Sequence, residues 1–308
     1  MKAILLWSHR NRISGEVARR LKECKEFLAD YGLLKGGVGD LPLTDELWGE
    51  LWQKFLDTSN PLTKSFEKDL KPEFTKQEKE VLENIRKHPP TESIITGKEL
   101  TSQQKRFIDL WMFDQEEWVK EFSTTGAPHI GGALNAGGVS TLNSIGSDIT
   151  FNLADAGAER YIKSQSLSYA KEINKTTEKI LRNKMGIALE SGESIRDVTK
   201  AIVGDVNAIY THSRESRAKM IAQTETIGAV NKGSIEGSVQ SGVVWGHTWL
   251  AAMDAHTRDD HSAIHGESVA LGDSFPVVDL EYPGQPGGDA SQVINCRCTL
   301  KPLTKKPK

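Results

Sequence analysis

The sequence predicts an α+β protein: a predominantly helical amino-terminal half followed by a small α+β carboxy-terminal domain with short antiparallel strands. Two observations carry this. Apolar residues recur at spacings of three and four through most of the first 240 positions, the period of a helix with one buried face. Beyond Gly242 the period drops toward two, with Val243, Trp245, His247 and Trp249 alternating with Val244, Gly246 and Thr248. At 308 residues the chain is long enough for two domains.

Taken in order, Ser14 precedes a stripe of Val17, Leu21, Cys24, Leu28 and Tyr31, and Gly36-Gly37-x-Gly39 ends that unit. Cys24 reads as a small core residue. Thr44 caps a second helix with Leu47, Trp48, Leu51, Trp52, Phe55 and Leu56. Thr75 and Glu78 form a capping box for a third helix, which Pro89-Pro90 stops. A fourth runs from about Lys98 to Phe122 and carries Trp111 and Trp118. Trp48, Trp52, Trp111 and Trp118 read first as the core of a helical bundle and second as a partner-binding face.

Residues 1–125 thus form a helical domain. Between Gly126 and Gly146 there are six glycines and no charged side chain, so 126–147 reads as a Gly-rich linker or hinge. It carries no P-loop Lys-Ser/Thr. Residues 148–308 form the carboxy-terminal domain with a helical lead-in and a basic tail. Its helices run to about Leu189, then through Ile195, Val198 and Ile202 after Ser194, then from about Val206 to Ser238. Ser268 to Leu271, Phe275 to Val278 and Val293 to Leu300 are strand candidates, and Pro283 to Asp289 is loop.

The composition narrows the function classes. Hydrophobic residues make up 37% and charged residues 26%, and no apolar run approaches the ~20 residues that span a bilayer, so no membrane partner is expected. The apolar segment after Lys2 is short for a secretory signal, which reads as retention in the cytoplasm. Three cysteines do not make a disulfide framework. A net charge of -3 gives no global attraction to nucleic acid, although residues 160–233 are mildly basic and Lys301 to Lys308 holds four lysines.

The chemistry-bearing residues concentrate from Arg217 to Cys298. His261 and His265 lie four apart in a plausible helix and share a face, while Cys296 and Cys298 lie two apart on a strand. Two nitrogens and two sulfurs are the ligand set of a structural zinc. The competing reading makes the thiols small buried hydrophobes and lets the histidines bond to Asp254 or Asp260. A third assigns His261 and His265 as acid and base, with Arg258 stabilising phosphoryl charge, in a nucleic-acid-cleaving or modifying enzyme. Arg217 with Glu225, and Arg258 with Asp254, read as ion pairs.

Three clusters in this order, Arg217 to Glu225 with Asn231 and Gly233, Trp249 to Gly266 with Asp254, Thr257, Arg258 and His261, and Asn295-Cys296-Arg297-Cys298, resemble the carboxy-terminal domain of the Mu F-like phage head-morphogenesis family. The likeness covers about residues 185–303. Gln223 departs from the arginine that the family often carries. The resemblance implies a non-enzymatic minor head protein of a tailed phage, assembled in the host cytoplasm and housed in the head interior. It implies the portal protein as partner, with scaffold or major capsid protein and non-specific DNA as further contacts. In this reading Arg217, Glu225, Asp254, Arg258, Asn295 and Arg297 are structural.

Overall fold

A 43-residue helix, α1 (Asp45–Lys87), runs along one side of the molecule in the computed structural model, which describes residues 41, 43–95, 100–191 and 194–307. The expected helix with Val17, Cys24 and Tyr31 lies outside the described residues. Thr44 caps α1 as its sequence predicts, its hydroxyl accepting the Leu47 N–H at 3.2 Å. The helix does not restart at Thr75, whose hydroxyl bonds back to Lys71 O instead of capping. Pro61 and Pro72 sit inside it. Each proline costs roughly 3 kcal/mol in a helix interior. Phe55, Phe66, Leu70, Phe74, Val81 and Ile85 keep one buried stripe running through both, and that packing outweighs the cost.

The helix expected over 98–122 is broken. Helix α2 (Ser102–Trp111) opens with a capping box between Thr101 and Gln104 and stops where Met112 and Phe113 bury their side chains. Asn84 Nδ2 donates to Met112 O, and Trp111 Nε1 donates to His88 O at 2.7 Å, which fixes the break against the end of α1. Asp114 then caps α3 (Gln115–Ser144).

Helix α3 overturns the expected linker. Residues 126–144 are helix interior, and Gly126, Gly137 and Gly138 are points of close approach rather than hinges. A methyl built on Gly137 would overlap the Val230 carbonyl, and one on Gly233 the Leu134 carbonyl. These residues belong to α3 and to α6 (Ala218–Ser241), whose backbones meet with no side chain between them. Thr141 Oγ1 donates to Ser234 Oγ across the same seam at 2.8 Å. Glycine-rich composition here encodes close helix packing, a possibility that composition cannot separate from a flexible tether.

Helices α4 (Ala156–Glu190), capped by Asp155, and α5 (Ile195–His212), capped by Ser194, complete the helical layer. A π-helical turn, Ser213–Arg217, joins α5 to α6, and Gly242 ends α6 at φ 66°. One apolar cluster runs from Phe55 to Val244 through all of these helices. The boundaries expected at 125 and 148 therefore divide no core among the described residues.

After α6 come β1 (Gly246–Leu250), the short α7 (Asp259–Ala263), β2 (Ser268–Ala270), the single turn α8 (Ala290–Val293) and β3 (Thr299–Leu303). The strands form an antiparallel sheet ordered β2-β1-β3, with His247 opposite Val269 and Pro302. A second cluster, with Trp249, Phe275, Leu280, Tyr282 and Leu300, packs under it. Phe275 to Val278 is a turn closed by a lone bridge to Leu280, and the last strand starts at Thr299 rather than Val293. No helix among the described residues is long and apolar enough to cross a membrane.

Candidate metal centre

The π-helical turn and helix α6 carry the first cluster. Arg217 is buried, donates to Thr177 Oγ1 at 2.6 Å and to Ile173 O at 2.9 Å, and lies over the Phe74 ring. Burial lowers its pKa to about 10. It does not pair with Glu225. Eight helical residues amount to two turns plus about 80°, so the side chains diverge toward different neighbours. Glu225 accepts from Gln165 Nε2 at 2.6 Å, and burial raises its carboxyl to about 7.

Asn231 ties this helix to the sheet. Its Nδ2 donates to Pro283 O and Cys298 O, each at 3.1 Å, and its Oδ1 accepts from Thr299 Oγ1 at 3.0 Å. One amide thus satisfies groups on two loops at once. Thr224 adds a second tie, accepting the Asn295 N–H at 3.0 Å. The sequence marks Asn231 only as part of a pattern, because an asparagine within a helix gives no hint of carbonyls contributed from 52 and 67 positions away.

The third cluster is a turn, not a strand. Asn295 adopts a left-handed φ of 57°, and Cys296 N–H bonds to Val293 O. This geometry aims both thiols inward. Cys296 Sγ lies 3.6 Å and Cys298 Sγ 3.4 Å from His261 Nδ1, and all three ligand atoms lie within 4.8 Å of one another. His261, Cys296 and Cys298 are buried. Hydrogen bonding between the two thiols lowers the pKa of Cys296 and raises that of Cys298. Trp249 of β1 packs edge-on against His261 with ring centroids 5.1 Å apart.

His265 does not join them. Helix α7 ends at Ala263 and Gly266 turns at φ 86°, so the stacking expected of a continuing helix is lost. Its Nδ1 instead accepts the Ala251 N–H at 3.1 Å, and its ring meets Trp48 edge to face. Arg258 donates to Ile294 O, and Asp254 pairs with Arg297 rather than Arg258. Burial works against the Asp254 charge, but the His256 N–H and the Arg297 guanidinium hold its carboxyl below the usual range. His265 is thus turned away from His261, so the two imidazoles do not pair as acid and base on one helix face, while Arg258 and His261 line the same small cavity.

The tryptophans divide in two. Trp111 and Trp118 are core residues, with Trp118 Nε1 donating to Glu80, and neither offers a docking face. Trp48 and Trp52 stack at 6.2 Å, and Trp48 Nε1 donates to Ala251 O at 3.1 Å, which joins the start of α1 to the loop after β1. A face burying four tryptophans against a partner is therefore not present.

Over 265 residues, 83% of each chain, the protein is 22% identical to an uncharacterized protein, YqbB, of Bacillus subtilis. Over 160 residues it is 27% identical to an NAD(+)–arginine ADP-ribosyltransferase, EFV, of Enterococcus faecalis; that match takes in 50% of this chain and 31% of the transferase. No solved structure matches the chain significantly. Residues 179–301, from the end of α4 through the three clusters to β3, match the family described as phage Mu protein F like protein.

Proposed function

We propose that the protein is a minor head protein of a tailed phage that associates with the portal during procapsid assembly and stays in the head interior. The Mu F-like match over residues 179–301 carries this reading. It supports a phage head-morphogenesis role, and the portal, scaffold or major capsid protein is the partner class such a role requires. The residues of the three clusters act as ties between α6, the sheet and its loops, which suits an assembly protein more than a catalyst. The transferase activity named for the Enterococcus protein is not carried over, because most of that protein lies outside the match.

Contact with packaged DNA belongs to the same proposal. On α4, Arg160, Lys163, Lys171, Lys175 and Lys179 are exposed, and the last three follow one another at four-residue steps along one face. Such a row suits phosphates without reading bases. Co-expression with a portal protein of the same phage tests the main claim. The expected result is elution of this protein with the portal oligomer in size exclusion; a folded protein that elutes apart from the oligomer would overturn it.

A further inference from the structure

We propose that His261 Nδ1, the two thiolates of Cys296 and Cys298, and the imidazole of His256 form a four-ligand site for a divalent cation of the zinc class. This proposal does not depend on the head-assembly reading.

The spacing of the three buried groups is the first argument. A tetrahedral zinc with sulfur at about 2.3 Å and nitrogen at about 2.0 Å separates its nitrogen and sulfur ligands by roughly 3.5 Å. The observed separations are 3.6 and 3.4 Å. Hydrogen bonding alone produces similar distances between one thiol and one imidazole. It does not explain why two thiols and an imidazole from segments 35 and 37 residues apart converge on one point.

The second argument is an unpartnered buried atom. His261 Nε2 has no hydrogen-bond partner although the residue is 1% exposed. While Nδ1 carries the ring proton toward the sulfurs, Nε2 is left as a buried, empty acceptor. With Nδ1 given to a cation, that contact to the sulfurs is replaced by a metal bond and the ring proton moves to Nε2.

Charge supplies the third. Two thiolates, two neutral imidazoles and a divalent cation sum to zero, so the three buried ligands and the cation are left with no net charge. Binding displaces two thiol protons to solvent and forms two metal–sulfur bonds, with no change of oxidation state. Thiolates with imidazole select zinc over the hard cations that prefer oxygen.

His256 is assigned by elimination and by tethering. A small cavity beside the cluster is lined by residues of the 252–258 loop and the 295–298 turn, and apart from His261 and the two cysteines the exposed His256 is the one lining residue that bears an imidazole, thiol or carboxylate, so its side chain must swing in to complete the set. Its loop is held over the cysteines, because Asp254 Oδ1 accepts the His256 N–H at 2.9 Å and takes Arg297 from between them. His265, the fourth ligand that sequence spacing suggests, is committed to Ala251.

Metal analysis of the full chain, purified without chelator, tests the site. The expected result is close to one zinc per chain. Cobalt exchanged into the protein is expected to give intense tetrahedral d–d bands and a thiolate charge-transfer band. Cys298→Ser should weaken that band, since one of its two thiolates is lost, and His256→Ala should weaken cobalt binding by more than about tenfold, whereas His265→Ala should leave it unchanged. A well-folded wild-type chain that holds no zinc and gives no charge-transfer band with cobalt overturns the site. Unchanged cobalt affinity and bands in His256→Ala overturn the four-ligand set. Both decisive readings use proteins whose helical circular dichroism confirms folding, so a collapsed cysteine variant does not decide the matter.

Discussion

Arg297, set between Cys296 and Cys298, closes its guanidinium on the carboxylate of Asp254, with Nη2 2.5 Å from Oδ1. The pair joins the 254–257 loop to the cysteine turn across 43 positions of sequence. Both side chains are partly exposed, so the Coulomb gain is screened. Arg297→Ala and Asp254→Asn should each cost no more than about 1 kcal/mol, and the double variant little more than either alone. Urea unfolding of the four proteins measures this; additive losses would show that the two residues act separately.

Gly233 and Gly137 hold α3 and α6 at backbone distance. Gly233→Ala should destabilise by about 1–3 kcal/mol or more, because the obstructing atom is a carbonyl of the facing helix and cannot rotate away. Gly132 lies on the same α3 helix, and a methyl there would have nothing within 4 Å, so Gly132→Ala should stabilise by up to about 1 kcal/mol. Opposite signs in thermal unfolding are expected. Equal effects would refute close packing as the reason for the glycines.

Asn231→Ala removes two donors and one acceptor from a buried junction and should cost about 2–4 kcal/mol. Asn231→Asp should fare no better, since a carboxylate cannot donate to the Pro283 and Cys298 carbonyls. Hydrogen exchange should show the loss spreading to the loop around Pro283 and to β3 while α1 stays protected.

Glu225 gives a pH dependence. Its carboxyl titrates at about 7 in the folded chain against 4.5 in the unfolded one, so the folded state binds more protons between those values and stability falls as pH rises through them. Glu225→Gln should therefore raise the melting temperature at pH 8, by the equivalent of up to about 3 kcal/mol. The gain should vanish near pH 4. A constant difference across that range would exclude the buried carboxyl as its source.

If α4 touches phosphates, binding to duplex DNA weakens steeply with salt. Lys171→Gln, Lys175→Gln and Lys179→Gln together should flatten the plot of log affinity against log salt by about 0.9 for each phosphate no longer neutralised. A slope that does not change would place DNA elsewhere or nowhere on the protein.

Local signals in the sequence were readable where local chemistry decides structure. Thr44 and Ser194 cap the helices their spacing marks, and the alternation around Trp249 is a strand. What misled was tertiary. Thr75 has the form of a helix start, but a continuous buried stripe carries α1 through it. Gly137-Gly138 has the composition of a tether, but a facing helix with Gly233 and Gly237 turns that composition into a seam. His265 has the spacing of a ligand, but its helix ends two residues earlier. His256, which lines the same cavity as the cysteines, has no spacing signal to find, because the loop that places it is held by a pair formed across 43 residues.

The clasp between the start of α1 and the sheet has a consequence for synthesis. Trp48 reaches the Ala251 carbonyl 203 positions later, and Lys301 Nζ reaches the Leu41 carbonyl across 260. Neither bond exists until almost the whole described chain has left the ribosome, and pairings of such long separation form late. A nascent or truncated chain ending before β3 would leave the central strand β1 with an unpaired edge and the first turns of α1 without their seat. Only a chain that includes β3 has both edges of β1 paired and the start of α1 held against the sheet.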